Sequence, residues 1–178
     1  MAALLPAIGE KRQAAADRPR QESDCMPLSQ GARIMQMQKA VKELFGRYAR
    51  NFNAALTAEP DLEAIAGLYT ETFIAASPAG IMSGKNDDEL RKVMADGFAR
   101  YRGMGTKKME VRGLRVTPID ALHGLAHVDW RATYDVDGPR KLIDFTNAYL
   151  VRIDGAKGKV FGWITGDENA ELKKHGIA

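Results

Sequence analysis

The sequence predicts a single α+β domain in which helices cover one face of a curved antiparallel sheet. Three observations carry this. Apolar residues recur at helical spacing between Met37 and Tyr101, alternation at strand spacing takes over from Lys108, and glycine turns divide the second half into a meander. A chain of 178 residues is long enough for one domain with a real core.

Residues 1–36 are rich in Ala, Gln, Arg, Ser and Pro without lasting periodicity and read as a mobile tail, leaving 37–178 as the domain. The first helix is expected over Met37–Thr57. Val41, Leu44, Phe45, Tyr48, Phe52 and Leu56 fall on one stripe, and Pro60 prevents continuation. Asp61 is positioned to cap a short helix carrying Leu62, Ile65, Leu68 and Tyr69. Thr72–Ala76 reads as a strand broken by Ser77-Pro78-Ala79-Gly80. A third helix starts near Asn86, with Asp87, Asp88 and Glu89 against its positive end and Gly103 and Gly105 at its finish. Strands follow near 108–118, 124–136, 141–153 and 159–167, then a short helix over 168–174.

Two turns fix which side chains share a face. An Asp137-Gly138 hairpin would pair 136 with 139, so that cross-strand partners sum to 275. Arg131 then opposes Asp144 on one face, while Trp130 meets Phe145 and Val128 meets Asn147 on the other. A second hairpin around Asp154–Gly158 pairs 153 with 159. It sets Tyr149 against Trp163, Asn147 against Thr165 and Phe145 against Asp167. The shared face, largely apolar with a few convergent polar groups, has the character of a small-molecule pocket or of a core packed on the helices. The pocket expected from this register contains Trp130, Asn147, Tyr149, Trp163, Thr165 and Asp167, with Phe52 and Ser77 near its other wall.

Charge narrows the partners. Residues 1–39 hold six of the 26 Lys/Arg and four of the 23 Asp/Glu, leaving 20 against 19 over 40–178. That near-neutral balance does not support nucleic-acid binding. No apolar run approaches the ~20 residues that span a bilayer, and the opening residues lack the pattern of a secretory signal, so a cytoplasmic protein is expected. The single cysteine, Cys25, excludes an intrachain disulfide. His123, His127 and His175 are scattered and form no metal motif, so neither metal nor other cofactor is expected. Gly155-Ala-Lys-Gly-Lys159 lacks the full spacing and hydroxyl of a phosphate loop and reads as a hairpin.

The segments ALTAEPDLEAIAGLYTETF, SPAGIMSG and VRIDGAKGKVFGWITGDENAELKKHG, in that order, resemble the nuclear transport factor two-like superfamily across about 38–178. The group includes ketosteroid isomerase, scytalone dehydratase and SnoaL-like cyclases as well as binding modules. The resemblance implies a cone-shaped sheet wrapped around the N-terminal helices, an open end that admits a small organic ligand, and a homodimer. By that resemblance Ser77 occupies the place of the ketosteroid isomerase base, Phe52 that of its oxyanion-binding tyrosine and Tyr149 that of its protonated aspartate. Base and tyrosine are both replaced, which argues against steroid isomerase chemistry. Asp129, Arg131 and Asp144 match the residue types of limonene epoxide hydrolase, but in a different order and on the outer face. SnoaL-like cyclases resemble this chain in an aspartate near the end of the last strand, here Asp167. Two functions follow: a binding module of unassigned activity, or a lyase, isomerase or cyclase. The enzyme would use Asp167 as acid/base, with Tyr149 and Asn147 orienting the substrate. Asp167 also stands where a helix cap belongs.

Overall fold

A computed structural model of the chain describes residues 29–136 and 138–177. The tail expectation for residues 1–28, including Cys25, and the side chain of Asp137 lie outside the described residues.

The first helix, α1, spans Gln30–Thr57, seven residues longer at its start than the apolar stripe alone predicts. The reason is a cap: the Ser29 hydroxyl accepts from the Ala32 amide at 3.3 Å. Its inner face buries the predicted stripe together with Met37, Ala40 and Ala55. Burial of each large apolar side chain stabilises by roughly 1.5–3 kcal/mol. Asp61 caps α2 (Leu62–Ala66) through the Ala64 amide at 2.9 Å. The third helix, α3 (Asp88–Gly103), is capped by Asp87 and carries Arg100 and Arg102 in its last turn, where they oppose the negative end of the dipole.

Six strands form one open sheet in the order β2-β1-β6-β5-β4-β3. They are β1 (Tyr69–Ser77), β2 (Gly80–Lys85), β3 (Thr106–Pro118), β4 (His123–Tyr134), β5 (Lys141–Asp154) and β6 (Lys157–Ile164). All neighbours are antiparallel except β1 and β6, which run parallel. The sheet packs on α1 through β3, β5 and β6, and α4 (Glu168–Lys174) follows β6 and faces the β1–β2 turn across a cleft, at the end that forms the mouth of the fold.

The β4–β5 register has partners summing to 275 throughout, from His123↔Arg152 to Tyr134↔Lys141, so Arg131 opposes Asp144 as predicted. Pairing ends at Tyr134↔Lys141, short of the expected 136–139 pair, and the Arg140 guanidinium donates to Asp135 at 2.8 Å; the Asp137-Gly138 turn itself rests on Asp137, which lies outside the described residues. In the β5–β6 hairpin Tyr149 opposes Trp163, as expected. Nearer the turn, however, Ile153 pairs with Gly158 rather than with residue 159. A bulge between Leu150 and Val151 in the ladder absorbs the one-residue difference. The ladder stops at Ala148↔Ile164, so Asn147 and Phe145 do not pair with Thr165 and Asp167. The Thr165 amide instead donates to the Ala76 carbonyl at 2.9 Å.

Strand β2 was not predicted. It is an edge strand, largely exposed, folded back through Pro78-Ala79 with the Ser77 hydroxyl accepting from the Ala79 amide.

Candidate functional site

Register brings Trp130, Asn147 and Tyr149 together inside the cone. The Trp130 indole N–H donates to the Tyr149 hydroxyl at 3.2 Å, and the Asn147 side-chain amide donates to the same oxygen at 3.4 Å. The three residues are 2%, 2% and 1% exposed. Beside them the Tyr69 hydroxyl donates to that of Tyr48 at 3.3 Å. Buried polar groups are tolerated at such a place because they satisfy one another.

Aromatic rings fill the space around this network. Phe45 lies 4.8 Å from Tyr149 and Tyr48 5.5 Å from Trp130, centroid to centroid. Trp163 stacks on Phe73 at 5.0 Å, and Phe52 sits farther along α1 against Phe98 and Tyr101. The interior void bordered by Tyr48, Phe52, Tyr69 and Trp163 measures about 20 Å³, room for one water. Burial drives the hydroxyls of Tyr48, Tyr101 and Tyr149 well above the ordinary tyrosine range, with neighbouring tyrosines or Glu168 adding to it. They are therefore neutral hydrogen-bonding groups, not bases, at physiological pH.

Three larger spaces are present among the described residues: one of about 420 Å³ between the start of α1 and the β3–β4 loop, bordered by Arg33, Met37 and Ile119 among others, and two at the mouth, on either side of the first turn of α4. One cleft, about 710 Å³, runs between the β1–β2 turn, α3 and α4. It is bordered by Ser77, Pro78, Val93, Arg100, Tyr101 and Lys173 among others. The second, about 210 Å³, lies between β5 and α4 and is bordered by Phe145, Asn147 and Leu172. Asp167 and Glu168 belong to both.

Of the sequence-predicted site residues, Asp167 and Ser77 thus share the larger cleft, and Asp167 and Asn147 the smaller. Trp130, Tyr149, Trp163, Phe52 and Thr165 are buried in the packed interior. Asp167 does cap α4: its Oδ1 accepts from the Ala170 amide at 2.9 Å. Arg131 and Asp144 form a two-bond pair at 2.6 and 2.7 Å on the outer face, next to Asp129, which accepts from the Thr146 hydroxyl.

Sequence reasoning overlooked Glu168. Its Oε2 accepts from the Tyr101 hydroxyl at 3.4 Å, and its charge raises the Tyr101, Tyr134 and Tyr48 hydroxyls further. The available signal was spacing: Glu168 precedes buried Leu172 by one helical turn, so it shares the inward face of α4. Among the described residues, no cluster of His, Cys, Asp and Glu could hold a metal ion, and no helix is long and apolar enough to cross a membrane.

The family described as NTF2-like protein (DUF6841) matches residues 38–168. No protein of curated function matches the chain. Among solved structures, an NTF2-like protein with a cystatin-like fold from Novosphingobium aromaticivorans superposes with a TM-score of 0.59 at 15% identity, covering 83% of this chain and 93% of that one. An NTF-2 like protein of unknown function from Shewanella oneidensis gives 0.53 at 12% identity, over 74% and 99%. A hexachlorocyclohexane dehydrochlorinase, LinA-type3, from Novosphingobium barchaimii gives 0.55 at 9% identity, over 75% and 88%. At these identities the likeness is one of fold.

Proposed function

The chain belongs to this NTF2-like family, and from that premise we propose that it binds a small, largely apolar organic molecule at the mouth of the cone. The observation that supports this reading is that two adjoining spaces, about 210 and 710 Å³, flank the first turn of α4 and share Asp167 and Glu168, against about 20 Å³ inside; the space of about 420 Å³ at the start of α1 stands apart from every expected site residue. Each cleft sets apolar surface, Phe145 and Leu172 in one and Pro78, Val93 and Tyr101 in the other, beside charged and polar side chains that could orient such a ligand. The aromatic filling of the interior and the lack of a base at Ser77 favour a binding role over catalysis. The protein would act as a homodimer, joined through the outer sheet face, where Ile74 and Ile164 are about half exposed.

An enzyme remains the second reading, favoured by one observation: Asp167, Glu168 and Asn147 border the same cleft. There a carboxylate could exchange a proton with a substrate oriented by Asn147. Tyr149 would orient substrate only indirectly, through its bond to Asn147.

The test is a titration of ¹⁵N-labelled protein with a panel of small aromatic ketones, alcohols and amines. Binding should shift the amides of Ser77, Gly97, Gly166 and Ala170. Shifts confined to the outer sheet face, or no shifts, would refute the mouth as the site.

A further inference from the structure

The smaller cleft exists because β6 is shorter than β5. Pairing ends at Ala148↔Ile164, and the next residue turns its amide to Ala76 on β1. From Asn147 back to Ile143, β5 has no strand beside it on this side among the described residues. The helix α4 crosses the gap instead, inserting Leu172, its one buried side chain. The space left between strand edge and helix, about 210 Å³, has an apolar floor at Phe145 and Leu172 and a buried amide at Asn147.

Charge in this cleft is of one sign. Asp167, Glu168 and Glu171 border it, with Asp144 at its rim, where the carboxylate turns to Arg131 on the outer face, and among the described residues no Lys, Arg or His borders it. Nearby cations are engaged at its periphery. Arg131 holds Asp144, Lys174 and His175 hold Glu171, and the Lys141 ammonium donates to the carbonyl of Gly176 at 3.0 Å. The neighbouring cleft across α4 differs, since Arg100 and Lys173 border it. A half-enclosed pocket lined by one sign of charge concentrates ions of the other. An aromatic ring at its base adds attraction for a cation.

We propose that the cleft between β5 and α4 binds a small organic amine, with its ammonium among the carboxylates and its apolar body on Phe145 and Leu172. This rests on the mouth being the ligand site and specifies the ligand class for one of its two clefts. The volume fits a single ring with a short chain, below the size of drug-like ligands. An anion of the same shape is rejected, and a neutral analogue loses the ionic contribution.

Phenethylamine, 2-phenylethanol and 3-phenylpropionate, titrated separately into the labelled full chain, test this. The amine should shift the amides of Phe145, Asn147 and Gly166, bind about tenfold tighter than the alcohol, and weaken as salt is raised. Glu168→Gln and Glu171→Gln should each weaken the amine by about three- to tenfold and the alcohol by less, with melting midpoints showing both variants folded. If the alcohol or the acid shifts the same residues and binds as tightly, the amine preference is wrong while the mouth reading stands. If the amine's shifts lie elsewhere, the assignment to this cleft is overturned. If none of the three perturbs the mouth, both fall.

Discussion

Tyr149 shows how far a single residue can be read. Its position opposite Trp163, and its sharing of a face with Trp130 and Asn147, follow from strand alternation and two turns. That its hydroxyl accepts from both neighbours does not follow, because side-chain rotamers are set by packing in three dimensions. Tyr149→Phe leaves two buried donors without their acceptor and should lower unfolding stability by about 1–3 kcal/mol in urea titration. A change below about 0.5 kcal/mol would mean that the donors find other acceptors. Asp167 separates two roles through two substitutions. Asp167→Asn should leave stability nearly unchanged, since asparagine caps as well, whereas Asp167→Ala should cost about 1 kcal/mol through the lost bond to Ala170. If Asp167 is an acid or base, the Asn variant loses turnover on a confirmed substrate with its stability intact. Unchanged turnover would eliminate that role. Glu168 was harder to see because its neighbour Asp167 satisfied the capping signal and drew the functional reading to itself.

Among the elements, α1 and α3 were legible because each buries a regular stripe, and Asp61 marked the start of α2, whereas the Ser29 cap that starts α1 seven residues before its stripe went unread. Strand β2 was not legible, since GIMSGK has neither alternating apolar residues nor β-branched density and is held by its neighbour β1. At Gly84 a Cβ would fall 2.4 Å from the Phe73 ring, so that contact, invisible in sequence, requires glycine. The bulge in the β5–β6 ladder was missed although a signal was present: the expected register sets Lys159 beside inward Ile153, whereas the bulge sets Gly158 there and turns Lys159 out. The joint between α3 and β3 gives an element-scale prediction. Gly105 has φ +74°, and a Cβ there would lie 2.2 Å from the Asp135 carbonyl oxygen, whose own amide bonds back to Gly105. Gly105→Ala should therefore destabilise by more than about 1 kcal/mol in chemical denaturation, whereas Gly31→Ala, which meets nothing within 4 Å, should not.

At the scale of the whole molecule, surface ion pairs set the acid limit. Hydrogen bonds to His123 and to the Leu122 and His123 amides hold the Asp120 carboxyl at about 2, and arginine or lysine partners lower Glu63, Glu110, Asp135, Asp144 and Glu171. A carboxylate whose folded value lies below its unfolded value of about 4 contributes stability above that value and loses it as pH falls. The thermal midpoint should thus be flat from neutral pH down to about 5 and then decline toward pH 2, with added salt shrinking the effect because the groups are exposed. A midpoint independent of pH over that span would contradict the pairing. Sedimentation should give twice the 19.5 kDa of one chain at micromolar concentration, and a single-chain mass would remove the proposed outer-face dimer. The open sheet has a further consequence. Strand β1 finds its inner neighbour only in β6, with Tyr69 beside Val160 and Ala75 beside Trp163. During synthesis at about 5–20 residues per second, the β1–β2 hairpin must wait on the order of 5–20 s for its partner to be made. Through that interval Phe73 has no Trp163 to stack on. A ribosome that stalls before Trp163 leaves an unfinished sheet edge for chaperones or proteases to find, so the last strand decides whether the earlier ones survive.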